Sequence, residues 1–333
     1  MKNAELYSFL SQYVLLDDQL INLGYPVESA FYPDRAIIYK TPETNVTYYR
    51  TDFRGQLETI EIAEQDDHSK PPLSPSLEKR CVRCRKGFFV TLDGEYLTEE
   101  KCQYHWGIWK RSEAGYTCCN GPENSSGCAS GQLHVWNGVS PGMNGPYDDY
   151  VRTGPCQDGQ RPRQVYALDT EMLFTGRGLE VGKVSVISID GCLVYETLVQ
   201  PERPVVDYNT RFSGLSEADL KRGPSKTVSQ VQRDLLGFIS NQTILIGHGL
   251  ENDLRALRIL HSRIIDTAVL FPHYFGFPFR RSLKSLVSAY LQRNIQTGQQ
   301  GHDSFEDARA CAELVLWKAA VQLRRNKSEH CFA

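Results

Sequence analysis

The chain has 333 residues, 41% hydrophobic and 23% charged, with a formal net charge of −3. This is ordinary globular material, long enough for two or three cores; no run approaches the ~18 apolar residues of a membrane helix, and the opening MKNAELYSFLSQYVLLDD lacks the basic region and cleavage site of a signal peptide. An intracellular chain with no membrane partner is expected, in which the 10 cysteines point to metal binding rather than disulfides.

Leu6, Phe9, Leu10, Tyr13 and Val14 recur at helical spacing, and alternating stretches at Ala36–Tyr39 and Val46–Tyr49 read as short strands. Residues 1–63 are thus expected to form a small α/β segment, followed by a polar, proline-rich linker over 64–76. Residues 77–146 are dominated by cysteine and histidine. Cys81-x-x-Cys84, Cys102-x-x-His105, the Cys118-Cys119 pair, Cys128 and His134 supply 8 ligands, the number a pair of four-coordinate structural Zn²⁺ sites requires. One zinc with spare cysteines is the alternative, and the spacing does not show which ligand serves which ion. Basic residues around the first knuckle, Lys79, Arg80, Arg83, Arg85 and Lys86, suit RNA phosphates, while a protein-binding adaptor is an equal reading.

A second linker is expected over 147–163, then a patterned domain over 164–325 and a tail over 326–333. Strands at Val165–Asp169, Val184–Ile189 and Leu193–Val199 come first, the last two flanking an Asp190-Gly191 hairpin turn. A helix from about Gln230, strands at Thr243–Ile246 and Arg263–Asp266, a helix from Ser282 and a long helix from Phe305 follow. Strands first, then alternating helices and strands, suit an α/β fold with a mixed sheet flanked by helices, an order that resembles a ribonuclease H-like fold.

Asp169-Thr170-Glu171 ends the first of these strands. The period of two aims both carboxylates at one face, where adjacent anions repel unless a divalent cation compensates them; hard oxygen ligands suit Mg²⁺ or Mn²⁺. Asp253 follows ILIGHGLEN where the chain enters a helix, and in GHDSFEDA His302 precedes Asp307 by 5 positions at the start of the last helix. Singly, these are an ordinary helix-start acid, a loop histidine and a capping acid. Their conjunction, in this order and on these elements, points to one cleft. Thr170 is expected to point away from it, with little effect. Glu251, Asp303 and Glu306 read as solvated or capping acids, Asp266 as a structural hydrogen-bonder and His248 as a satisfied histidine.

The same order resembles the motif set of the DEDDh 3′→5′ exonucleases. More narrowly, YALDTEM, LIGHGLENDLRAL, IDTAVLFP, RSLKSL and GHDSFEDARAC are similar to the Rex-type RNA exonuclease family, over about Gln164–Arg324. Thr170 departs from the Cys common there. The resemblance implies that Asp169, Glu171, Asp253 and Asp307 hold a pair of Mg²⁺ or Mn²⁺ ions roughly 4 Å apart and that His302 is the general base, releasing 5′-mononucleotides from RNA with a free 3′ end. It also implies RNA processing or decay, in the nucleus or the cytoplasm. Met172 would pack on the terminal nucleotide, and Arg280, Arg281 and Lys284 would contact phosphates. The cysteine-rich region resembles CHORD zinc modules. A DNA-directed exonuclease, and a zinc adaptor with an idle nuclease domain, are the competing functions.

Overall fold

The computed structural model describes residues 3–41, 47–51, 57–61, 77–155, 163–298 and 301–330. The helices that matter for the site are α1 (Asn3–Leu10), α2 (Asp17–Leu23), α3 (Thr210–Ser213), α4 (Val228–Leu236), α5 (Glu251–Leu257) and α6 (Ser304–His330). Helix α4 starts two residues earlier than expected, at a capping box: the Thr227 hydroxyl accepts from the Gln230 amide, and the Gln230 side chain accepts from the Thr227 amide.

Strands β1 (Val165–Thr175) and β2 (Gly178–Ser188) form an antiparallel hairpin, on which β3 (Leu193–Val199) folds back antiparallel to β2. Gly191 makes the second turn at φ 86°, a conformation that favours a residue without Cβ. The strand β4 (Val205–Asp207) pairs with the far end of β1, β5 (Ser225–Lys226) runs parallel to β3, and β6 (Ile244–Gly247) and β7 (Ile264–Asp266) extend the sheet in parallel beyond β1. The order across the sheet is β5-β3-β2-β1-β6-β7, the mixed sheet expected. Both long strands exceed the stretches read from sequence. A register shift at Gly182, between the Glu171–Lys183 and Met172–Val181 pairs, bends the hairpin and lets pairing continue to Thr175.

Strand alternation sorts the core into two layers. Val165 and Ala167 pack with Ala308, Cys311 and Val315 of α6; Leu168 packs with Val231 and Leu235 of α4 and Leu254 of α5.

Residues 3–41 are not the free-standing segment expected. Tyr7 and Leu10 of α1 are buried in the α6 layer, while Leu15, Leu20 and Tyr25 are buried in the opposite layer with Leu168 and Leu254. Leu15 N–H bonds Ile264 O at 2.8 Å, and the Tyr25 hydroxyl donates to Asp266 at 2.7 Å. Ala36–Lys40 pairs antiparallel with Gly142–Tyr147, and Val151–Arg152 pairs parallel with Ile259–Leu260, so the stretch expected as a linker over 147–163 is partly paired. Its polar, glycine- and proline-rich composition carries no trace of partners about a hundred positions away in the chain. Thr47–Thr51 and Leu57–Glu61 pair as a hairpin. The expected linker at 64–76 lies outside the described residues, and part of the expected tail continues α6 as far as His330.

Candidate active site and zinc clusters

Asp169 and Glu171 share the parity of Val165 and Ala167, so they face α6, whose first turn carries Asp307. Asp253 stands in the first turn of α5. Its Oδ1 accepts from both the amide of Thr170, at 2.8 Å, and the Thr170 hydroxyl, at 2.7 Å. On the other side, Asp307 Oδ2 accepts from Gln296 Nε2 at 2.8 Å and lies 3.7 Å from His302 Nδ1. The His302 amide bonds Phe212 O in α3 at 2.7 Å, which pins the loop ahead of α6. One cavity of about 410 Å³ opens on this end of the sheet, lined by Glu171, Met172, Phe212, Asn252 and His302 among others.

The electrostatics are those of a cation site. Burial, and then the nearby Asp253, Asp307 and Glu171 carboxylates, hold Asp169 well above the usual carboxylate range. Burial likewise pushes Glu171 up to about 8, Asp253 to about 7 and Asp307 to about 6. Glu171 Oε1 and Asp307 Oδ1 are buried without a hydrogen-bond partner among the described residues. Orphaned carboxylate oxygens within a group of mutually repelling acids fit hard divalent cations, which would supply the coordination that burial removes. His302 is 37% exposed, and burial, then the Lys284 ammonium, lower its pKa. The imidazole is therefore neutral near pH 7 and able to take a proton.

Several neighbours depart from expectation. Thr170 does point to the α5 side of the sheet, but Asp253 stands on that side, so its hydroxyl holds the Asp253 carboxylate instead of being idle. Glu251 is buried, not solvated, and pairs with Arg280 at 2.6 Å. That contact engages Arg280, which was expected to face phosphate. Arg281 donates to the Tyr290 hydroxyl at 2.8 Å, and Lys284 to Gln296 O at 3.0 Å. Asp266 accepts from Tyr25, Gly249 and Ala268, a structural role as expected. His248 is satisfied by the Thr267 hydroxyl at 2.9 Å, and Asp303 is an exposed cap at 3.2 Å from the Phe305 amide. Glu306 accepts from the Gln296 amide at 3.0 Å and is half-buried. Gln296 and Phe212 were not singled out; loop residues without a motif give no signal for them.

The eight cysteine-region ligands separate into two quartets, Cys81, Cys84, Cys102 and His134, and His105, Cys118, Cys119 and Cys128, with the ligand atoms of each within 4.8 Å of one another. The Cys102-x-x-His105 spacing is therefore not a knuckle, since its two residues serve different clusters. Cys81 and Cys102 sulfurs lie 3.7 Å apart, and Cys128 and Cys118 sulfurs 3.5 Å apart. Tetrahedral thiolates at the usual Zn–S distance stand about 3.8 Å apart. Both quartets could hold zinc.

Residues 167–315 match the family described as Exonuclease. The chain is 40% identical over 326 residues to exonuclease GOR of Pan troglodytes, covering 96% of this chain and 42% of that protein. It is 40% identical over 325 residues to RNA exonuclease 1 homolog of Homo sapiens, covering 96% and 24%. To RNA exonuclease 1 of Saccharomyces cerevisiae it is 46% identical over 170 residues, covering 51% and 30%. The chain thus spans less than half the length of these relatives. Its carboxylate and histidine constellation lies inside the matched region, so residues 167–315 are similar to exonuclease domains and to the relatives named RNA exonuclease 1 homolog and exonuclease GOR.

Proposed function

We propose that the chain is a 3′→5′ exonuclease that removes 5′-mononucleotides from the free 3′ end of RNA. The convergence of Asp169, Glu171, Asp253 and Asp307 beside the neutral His302 carries this reading. Two Mg²⁺ or Mn²⁺ ions held by these carboxylates would supply an activated water and charge stabilisation for the departing 3′-oxygen. The chain's own residues do the rest. Thr170 occupies Oδ1 of Asp253 and Gln296 occupies Oδ2 of Asp307, whose Oδ1 is left without a partner among the described residues. His302 takes the proton of the attacking water, and Met172 and Phe212 line the space for the terminal nucleotide. RNA as substrate is supported by the names of the relatives. Incubation with 3′-labelled and 5′-labelled RNA and DNA, in Mg²⁺ or EDTA, tests this. The 3′ label should leave first as a mononucleotide, only with Mg²⁺, and faster from RNA. Early release of the 5′ label, or digestion in EDTA, would sink the assignment; DNA digested faster than RNA would favour the DNA-directed alternative.

His302→Ala should lower turnover on the order of a hundredfold, the usual cost of losing a general base. Unchanged turnover near pH 7 would remove His302 from the mechanism.

We further propose structural Zn²⁺ in both quartets. Elemental analysis of the purified chain should find two zinc ions, and Cys84→Ser or His105→Ala should each lose one and destabilise the fold around residues 77–146, because ligand-bound zinc contributes folding energy directly. A native protein free of zinc is the contrary result.

A further inference from the structure

The catalytic cavity has a wall that the exonuclease domain does not supply. Alongside Glu171, Met172, Phe212 and His302 it is lined by Val82 and Asn137, which belong to the first cysteine and histidine quartet's surroundings. Val82 lies between the ligands Cys81 and Cys84, and its amide bonds Val135 O at 2.9 Å, next to the ligand His134. Asn137 follows on the same segment.

This wall is fixed in place. The Trp136 indole donates to Gly176 O, in the β1–β2 turn, at 2.9 Å. A Cβ on Gly176 would overlap Gly94 O, and one on Gly178 would overlap the backbone of Gly138, so the module's backbone abuts that turn with no room for a side chain. Arg83 completes the seam. Its guanidinium bonds Asp207 at 2.5 Å and Asn209 at 3.3 Å while stacking over Phe174 and Tyr104, 5.1 and 4.7 Å from the ring centroids. Asn209 and Phe174 themselves line the cavity. Arg83 is thus a docking residue of the module, committed to the seam and half-removed from any phosphate.

We propose that Asn137 and Val82 form a binding subsite for the last nucleotides of single-stranded RNA, so that the substrate cleft is shared between the zinc-ligand module and the exonuclease domain. The proposal rests on the reading of the chain as an RNA exonuclease. Asn137 is half-buried at the cavity, and its side-chain amide makes no hydrogen bond within the described residues. An amide offers both a donor and an acceptor, which suits a base edge or a ribose 2′-hydroxyl, and Val82 offers an apolar face for the sugar or base beside it.

The test is equilibrium binding of a ten-nucleotide single-stranded RNA to the full chain in Ca²⁺, with zinc content and melting temperature as controls on folding. Asn137→Ala should raise Kd roughly fivefold, the fold-change of one neutral hydrogen bond. The isosteric Asn137→Asp should raise it further, and more so at low salt, because a carboxylate loses the amide's donor and its negative charge is repelled by the RNA polyanion. Both variants binding within twofold of the unsubstituted chain would overturn the proposal. An equal loss for a DNA of the same sequence on Asn137→Ala would support the subsite with Asn137 on a base edge, and a loss confined to RNA would support it with Asn137 on the 2′-hydroxyl. An unsubstituted chain that binds this RNA but does not shorten it in Mg²⁺ would defeat the proposed function, while the binding comparison would still decide the role of Asn137.

Discussion

Asp169→Asn or Asp307→Asn is expected to lower turnover at least about a thousandfold while the chain remains folded, because each substitution removes a ligand charge and almost no volume. The carboxylates are held above their usual range by burial and by one another, so their charge is a cost to the folded state without a cation. Unfolded carboxylates titrate near pH 4, whereas Asp307, Asp253 and Glu171 titrate at about 6, about 7 and about 8 in the fold. Between those values the folded state binds more protons than the unfolded one. Stability therefore falls as pH rises from about 4, where the unfolded carboxylates ionise, up to about 8, where the last folded one does. Thermal melts in EDTA should show that fall, Mg²⁺ should reverse it by binding the ionised folded form, and Asp307→Asn should shrink both the fall and the Mg²⁺ effect. Full activity in either variant would sink the cation-site assignment, and a melt in EDTA that rises across this range would sink its electrostatic basis.

How far this site was legible depends on what each residue needs to be recognised. Asp169 and Glu171 announce themselves by the period of two, and Asp307 and His302 by their place at the start of a helix, because these are local regularities of backbone geometry. Thr170 shows where local reading stops. Alternation gave its direction correctly, but its consequence depends on Asp253, 83 positions away, occupying the same face. The sheet was likewise legible as mixed and in the chain order of its main strands, but the short β4 and β5 and the bulge at Gly182, where Leu173 and Leu215 leave no room for a Cβ, show in no pattern of apolar residues. Zinc ligand types and number were readable, whereas the split of Cys102 from His105 was not, because strand Cys102–Tyr104 pairs with Ala129–Gly131 and points its two ends at different clusters. The seam between the module and the β1–β2 turn left only glycines, at 94, 138, 176 and 178, whose shared purpose appears once the two backbones meet.

The same limit sets the second large expectation, that a fragment beginning at Thr153 does not fold on its own. Composition marked 147–163 as a boundary, and on that basis the exonuclease half would stand alone. In the structure it would lose Tyr7 and Leu10 from one layer of its core and Leu15, Leu20 and Tyr25 from the other. Burial of five large apolar side chains contributes on the order of 10 kcal/mol, comparable to the entire stability of a typical domain. Removing them also exposes Ile264 O and the Asp266 carboxylate, the partners of Leu15 and Tyr25. Asp266 in turn holds the Gly249 amide at 2.9 Å, just ahead of α5 and its Asp253, so the damage reaches the candidate cation site. The fragment 153–333 should therefore be insoluble or lack a cooperative melt, and should digest no RNA in Mg²⁺. Within the full chain, Leu10→Ala should cost roughly 2–5 kcal/mol by leaving a cavity in the α6 layer. A fragment that melts cooperatively near the temperature of the full chain and digests RNA would show that residues 3–41 cover the domain without completing its core.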